Sequence, residues 1–298
     1  MSARIAMLAA LALTGCAPQA APAPAAMAPT GKALAIACEG RDGWSDPAPP
    51  AKIHGNTYYV GTCGITVLLI ATPDGLVLID GATEKAVPGI LANIRALGFD
   101  PKNVRYLLAS HEHDDHVGGL AALQAATGAK LLARREAVAA LTSGTPDATD
   151  PQREIANPFA GATVSRTIGD GEAVGLRDIG LTAHATPGHT PGSTSWTWRS
   201  CEGGDCRSIA YVDSLTAISG DAYRFTDHPD YVATFRATLA KVPTLPCDLL
   251  ITPHPSASNL FARLAGDARL VDADACHFYA AGAVKRLDER LAKETAAQ

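Results

Sequence analysis

The chain has 298 residues, 47% of them hydrophobic, and a formal net charge of -5. That is enough apolar material for one large domain or two modest ones. The acidic balance, with no cluster or stripe of Lys and Arg to neutralise phosphates, argues against a nucleic-acid partner.

The first residues read as an export signal. Arg4 supplies a positive region, and Ile5 to Leu13 is an uninterrupted apolar run too short to span a bilayer as a lasting helix. The run closes on Leu13-Thr14-Gly15-Cys16. That tetrapeptide resembles a bacterial lipobox, in which the cysteine is lipid-modified and becomes the first mature residue. Residues 1–16 are then a signal peptide, and Cys16 anchors the protein to a membrane from the periplasmic side. Ordinary signal-peptidase cleavage among the small residues of Ala17 to Ala26 is the other reading. Residues 17–30 are rich in Ala and Pro and read as a tether.

Beyond the tether, Asn56 to Val60 and Ile65 to Ala71 have strand character, Pro73-Asp74-Gly75 is a turn, and Leu76 to Ile79 is the returning strand. Val87, Ile90, Leu91, Ile94 and Leu97 recur at helical spacing, and Gly98 stops the run. Val104 to Leu108 is a buried strand, Leu120 to Ala126 begins a helix, and Lys130 to Ala133 is a strand. Residues 147–158 have few periodic signals and read as a surface loop. In the second half, Leu181 to Ala185, Thr194 to Trp198, Ile209 to Val212 and Leu249 to Ile251 read as strands. Tyr231 to Val242 and Ala280 to Ala297 read as helices. Strands in runs with helices between them predict a layered α/β or α+β fold. No short-period repeat or Gly/Ser linker divides the chain, so residues 31–298 are expected to form one domain.

Cysteine usage agrees with export. Apart from Cys16, six remain: Cys38, Cys63, Cys201, Cys206, Cys247 and Cys276. An even set in an exported protein points to disulfides. Cys201 and Cys206 can close a short loop; spacing alone leaves the other pairings open. With no Cys-x-x-Cys pair, a cysteine zinc site is disfavoured.

The chemistry concentrates in Ser110-His-Glu-His-Asp-Asp-His-Val-Gly-Gly119, just after the buried strand Val104 to Leu108. Imidazole and carboxylate are the usual non-sulfur ligands of zinc. Alternate side chains of extended backbone share a face, so His111 and His113 can reach one ion. Asp115 and His116 then turn to a second position. A solvated polar loop fits the apolar strand before the motif poorly, and three buried histidines beside carboxylates are hard to accommodate without a metal. Further ligands must come from elsewhere. His189 in Thr-Pro-Gly-His-Thr-Pro-Gly and His254 in Thr-Pro-His-Pro both sit in Pro-braced loops that suit a preorganised ligand. His54, His184, His228 and His277 have no such setting and read as surface or half-buried residues.

His-x-His-x-Asp-His followed by two distant histidines resembles the metallo-β-lactamase superfamily, and the likeness extends over nearly all of the chain after residue 38. It implies an αββα sandwich with a two-metal site at one edge. The stretches Thr186 to Trp198, Tyr211 to Thr216 and Thr252 to Ser258 are similar to subclass B3 members of the AIM and SMB type. His116 stands where the other subclasses carry Arg, and those subclasses also use a Cys ligand. The resemblance implies two Zn2+ ions, one on His111, His113 and His189, the other on Asp115, His116 and His254. It implies the disulfides Cys38–Cys63, Cys201–Cys206 and Cys247–Cys276. It further implies hydrolysis of the β-lactam ring of penicillins, cephalosporins and carbapenems by a metal-bound hydroxide, and hence antibiotic resistance, by a monomer. Asp115 would orient the nucleophile and handle its proton. Ser214 and Thr216 resemble hydroxyls that bind the substrate carboxylate; loop capping is their other reading.

Many superfamily hydrolases place a metal-bridging Asp where Asp213 stands, but B3 members do without it, so Asp213 is expected to be a supporting acid. Asp80 resembles a buried Asp that supports the metal loop, and reads equally as a turn residue at a strand end. No Ser-x-x-Lys or Gly-x-Ser-x-Gly setting offers a serine nucleophile. Thioester hydrolases and acyl-homoserine lactonases of the same superfamily are the main rivals, since they use much the same ligands. A non-catalytic zinc-binding lipoprotein is a rival of another class. Three protein ligands per ion would leave the open position that catalysis requires.

Overall fold

The computed structural model describes residues 30–296 apart from Asp178. The signal peptide, Cys16 and all of the tether except Thr30 lie outside the described residues. Thr30 itself accepts the Ala33 N–H and starts helix α1 (Gly31–Ala37).

Two sheets lie face to face. The first runs in chain order: β1 (Ala51–His54), β2 (Thr57–Tyr59), β3 (Leu68–Thr72), β4 (Gly75–Ile79), β5 (Val104–Leu108), β6 (Lys130–Arg134) and β7 (Val164–Ile168). Its pairing changes from antiparallel to parallel at β4. The change needs crossover helices, and α2 (Val87–Ala96), α4 (Leu120–Thr127) and α5 (Arg135–Ser143) supply them. The second sheet is ordered β12-β11-β10-β9-β8, with β8 (Ala173–Leu176), β9 (Ile179–Ala185), β10 (Thr194–Glu202), β11 (Asp205–Tyr211) and β12 (Leu249–Ile251). Helix α6 (Pro229–Lys241) lies in the crossover from β11 to its parallel neighbour β12, and α7 (Leu260–Ala265) and α8 (Ala275–Ala296) follow.

Strand alternation sorts the apolar residues into three cores. Leu68, Ile70, Val77 and Ile79 of the first sheet meet Leu181, Trp196, Ile209 and Ile251 of the second. Leu69, Leu78 and Leu131 point the other way, against Ile90, Ile94, Leu120 and Leu123 of the outer helices. Ala210 and Leu250 of the second sheet face Phe235, Leu239, Ala280 and Leu287 of α6 and α8. The layers are therefore helix, sheet, sheet, helix: an αββα sandwich.

Disulfides link Cys38 to Cys63, Cys201 to Cys206 and Cys247 to Cys276. The first ties α1 to the loop before β3, the second closes the β10–β11 hairpin, and the third ties the approach to β12 onto α8.

Several elements escape the sequence reading in whole or in part. Helix α5 buries Ala137, Ala140 and Leu141 at helical spacing, a signal the reading of the sequence passes over. Strands β7 and β8 lie at sheet edges and expose most of their length. Helix α8 starts at Ala275, five residues earlier than the apolar spacing predicts, because Cys276 is the only buried residue of its first turn. The largest correction concerns residues 147–158: this segment is not simply a surface loop, since Asp150 within it is 2% exposed.

Candidate metal centre

The site forms where strand ends converge. Strand β5 ends at Leu108, and residues 109–113 run on to the short helix α3 (Asp114–Val117). His113 is extended at φ -99°, ψ 151°, and the helix begins with the next residue. That switch turns Asp115 and His116 away from the line of His111 and His113. His189 comes from the loop between β9 and β10, and His254 from the turn after β12.

Neighbouring segments hold the motif loop. Asp80, at the end of β4, takes the left-handed conformation (φ 65°). Its carboxylate accepts the Ser110 N–H and hydroxyl, both at 2.7 Å, and the Tyr211 hydroxyl at 2.6 Å. These bonds outweigh the backbone strain and give Asp80 a supporting place beneath the loop. The Gly81 N–H donates to His116 O, and the Gly119 N–H to Ala82 O. A Cβ on Gly119 would lie 2.3 Å from Gly81 O, which accounts for glycine at that close crossing.

Ligand-capable atoms of His111, His113 and His189 lie within 4.8 Å of one another, as do those of His111, Asp115 and His116. A tighter set combines Asp115, His116 and His254. Asp115 Oδ2 stands 3.1 Å from His116 Nε2 and 3.3 Å from His254 Nε2, and the two imidazole nitrogens are 3.3 Å apart. Ligands about 2.0–2.1 Å from a tetrahedral zinc stand about 3.3 Å from one another. These side chains therefore already have the spacing that such an ion needs, and the chemistry of the donor set fits zinc.

Hydrogen bonds decide which ring nitrogens face inward. His111 Nδ1 is 2.8 Å from Asp213 Oδ1, leaving its Nε2 free. His113 Nε2 is 2.9 Å from Asp150 Oδ2, leaving Nδ1. His189 Nδ1 is 2.8 Å from Thr216 Oγ1, leaving Nε2. Such outer partners set the tautomer and aim of a metal-binding imidazole. Asp213 thus stands behind His111, outside the ligand cluster.

The electrostatics suit cation binding. Burial, reinforced by the neighbouring His116, holds the His111 pKa well below the usual imidazole range. Burial and His113 push His189 down to about 3. Both rings are neutral, the form that binds metal. At Asp115 burial acts upward, but His116 and His254 outweigh it and keep the carboxylate well below its ordinary range. Burial opposes charge on His116 too, yet Asp115 and Asp80 push it up to about 10. The proton they favour is one a bound dication would displace.

Three supporting residues escape the sequence reading. Asp150 and Gln152 lie in the segment read as a loop, and no local pattern singles them out. Gln152 Nε2 sits 3.4 Å from His189 Nε2. Glu112 had a usable signal: the alternation that puts His111 and His113 on one face puts Glu112 on the other. It is fully buried, and accepts the Thr190 hydroxyl and the Gly192 N–H, each at 2.8 Å. Burial pushes its carboxyl up to about 7 against the pull of those two bonds. A Cβ on Gly192 would lie 2.6 Å from the Ala137 side chain, so the loop can approach Glu112 only with glycine there.

A cleft of about 380 Å³ opens over the ligands, walled by Gln152, Ser214 and Thr216 and edged by Trp44, Ile155 and Ile218. The last three are 46–56% exposed, an apolar rim around a polar floor. Of the other histidines, His54 and His184 are half-buried and His228 and His277 exposed, and none lines the cleft.

An αββα sandwich with a histidine and carboxylate cluster at one sheet edge defines a class of metal-dependent hydrolase. The metallo-β-lactamase superfamily model matches residues 60–202, and the chain belongs to that superfamily. Among solved structures it resembles the metallo-β-lactamase MIM-1 from Novosphingobium pentaromativorans, at 52% identity and TM-score 0.88, covering 89% of this chain and 99% of that one. It is 45% identical to SMB-1, covering 85% and 99% at TM-score 0.82. It is 40% identical to MEM-A1, a subclass B3 enzyme from a soil metagenome library, covering 86% and 100% at TM-score 0.83. Curated relatives are more distant, and the chain spans from about two fifths to three quarters of their length. It is 30% identical to YobT of Bacillus subtilis, an uncharacterised protein, over 56% of this chain and 66% of that one. It is 28% identical to a hydroxyacylglutathione hydrolase of Anaeromyxobacter dehalogenans, over 73% and 74%.

Proposed function

We propose that the protein is a subclass B3 β-lactamase that binds two zinc ions and opens the β-lactam ring of antibiotics. The observation that carries this reading is the pair of three-residue ligand sets at the floor of one cleft. His111, His113 and His189 would hold one ion, and Asp115, His116 and His254 the other. Three ligands apiece leave positions open for reactants. Two such ions supply a nucleophile at neutral pH and stabilise charge on the carbonyl oxygen and on the departing nitrogen.

The chain's own groups do the rest. Asp115 turns Oδ2 towards His116 and His254, so Oδ1 remains to orient a water and accept its proton. Thr216 Oγ1 accepts from His189 Nδ1–H, which leaves the threonine proton free to donate. With Ser214 on the same wall, it can bind the carboxylate that β-lactams carry beside the ring. The apolar rim of Trp44, Ile155 and Ile218 would cover the substrate body and exclude water. Export to the periplasm, lipid at Cys16, a single domain over residues 31–298 and a monomeric state complete the proposal. Among the described residues no helix is long and apolar enough to cross a membrane, so anchoring would rest on the lipid.

The test follows carbapenem and cephalosporin ring opening by absorbance, with and without a chelator and after zinc is restored, alongside a count of zinc per chain. Hydrolysis that chelation abolishes and zinc restores, at two ions per chain, supports the reading. Folded, zinc-loaded protein that leaves β-lactams intact refutes it and turns attention to lactones and thioesters.

A further inference from the structure

A second cavity, of about 590 Å³, lies behind the wall of the metal cleft and shares Ala257 and Tyr279 with it. Residues 256–272 and the first half of α8 line it, and it opens widely to solvent. Three guanidinium groups line it, those of Arg263, Arg269 and Arg286. Arg263 is 8% exposed. Its donors reach the carbonyls of Leu250 and Leu270 at 2.7 Å, Arg269 at 3.2 Å and Ser258 at 3.3 Å. It is a fixed, buried cation hydrogen-bonded to neutral carbonyls, with the Asp272 charge near enough to favour it. None of the three arginines forms an ion pair among the described residues. The one carboxylate in the lining, Asp272, accepts the Asp274 N–H at 3.1 Å just before α8. The cavity is therefore locally cationic on a chain of net charge -5. Phe278, 65% exposed, adds an apolar face to the same lining.

Arg269 and Arg286 are exposed and have no carboxylate partner among the described residues, and planar guanidinium forks match carboxylates. We propose that this cavity is a second binding site for a small organic anion with a planar apolar body, such as an aryl carboxylate. Arg269 and Arg286 would receive the carboxylate, Arg263 would supply background charge, and Phe278 would cover the ring. The site is placed to influence the cleft. Arg286 NH2 approaches Leu215 O at 3.4 Å, and the Tyr279 hydroxyl approaches Asp213 O at 3.5 Å. Both touch the backbone of the segment that carries Ser214 and Thr216.

The experiment is a fluorescence titration of the zinc-loaded protein with 2-naphthoate, with the metal cleft saturated by mercaptoacetic acid. Thiol binding is followed separately, so failure of the metal reading and failure of the anion site give different results. We expect one saturable naphthoate site with the thiol bound. Binding should weaken at least about tenfold in Arg269→Ala/Arg286→Ala, the loss expected when charge-assisted pairs are removed. Uncharged 2-naphthylmethanol, which needs no variant, should not bind. The proposal is overturned if the thiol abolishes naphthoate binding, if the arginine variant binds equally well, if the alcohol binds as well as the acid, or if no saturable binding is seen.

Discussion

Removing Glu112 tests whether a residue that touches no ligand atom holds the centre together. Its carboxylate accepts two hydrogen bonds of 2.8 Å from Thr190 and Gly192, on the loop that carries His189. In Glu112→Ala the Gly192 N–H loses its partner in a buried site, and the Thr190 hydroxyl is left with only Ser193 Oγ at 3.0 Å. Bonds to charged groups contribute about 1.5–3 kcal/mol each, and with the Thr190 bond partly replaced the loss is roughly 2–4 kcal/mol. For a domain of this size that lowers the melting temperature by on the order of 10 °C. Loosening the His189 loop should also weaken zinc binding by about 10–100-fold, the usual penalty for disturbing an outer partner. Glu112→Gln is the control. Its carbonyl can accept the Gly192 N–H and its amide can donate to Thr190 Oγ1, whose proton then turns to Ser193 Oγ at 3.0 Å. That variant should lose about 1 kcal/mol or less. The assays are calorimetric melting and competition for zinc with a chromophoric chelator. The reasoning fails if Glu112→Ala melts and binds zinc like the parent, or if Glu112→Gln falls as far as the alanine variant.

Asp213→Ala should weaken zinc binding by about 10–100-fold through loss of the partner on His111 Nδ1; Asp213→Asn, which can still accept that N–H, should lose much less in the same chelator competition. Removing the Cys247–Cys276 bridge, which spans 29 residues, should cost about 3–4 kcal/mol on the loop-entropy model, read from urea unfolding; a loss under about 1 kcal/mol would contradict it. At Glu294 burial acts upward, but the Thr226 N–H and Arg290 outweigh it and lower the pKa. A lowered pKa means stability that is present above the ordinary glutamate range and lost as pH falls through the folded value. Melting temperature against pH should therefore flatten on the acid side in Glu294→Gln, and identical acid limbs would exclude this role.

Much of this architecture is legible in the sequence, and for stated reasons. Strands β4 and β12 are short apolar runs bounded by turns or polar residues and are buried along their whole length, whereas β5 exposes Arg105 and buries only Val104, Leu107 and Leu108. The ligand motif is legible because four donors fall within six residues. His189 and His254 are legible only as Pro-braced histidines; what brings them to the motif is the sheet order, which no local pattern encodes. Asp150, Glu112 and Gln152 lie one step further away. Each acts through a hydrogen bond to a ligand or its loop, and a polar residue in a loop looks the same whether it faces water or a buried imidazole. The edge strands β7 and β8 are hard to read because their burial is too slight for a clear period.

The division of the six donors between the sheets bears on biosynthesis. His111, His113, Asp115 and His116 emerge from the ribosome before any strand of the second sheet exists. His189 follows, and His254 appears only once β12 is complete. Early in synthesis a nascent chain carries these four side chains with neither His189 nor His254 available to them. His254 can stand beside Asp115 and His116 only when both sheets have docked. On the two-ion reading, a fully loaded centre would therefore be a record that assembly finished.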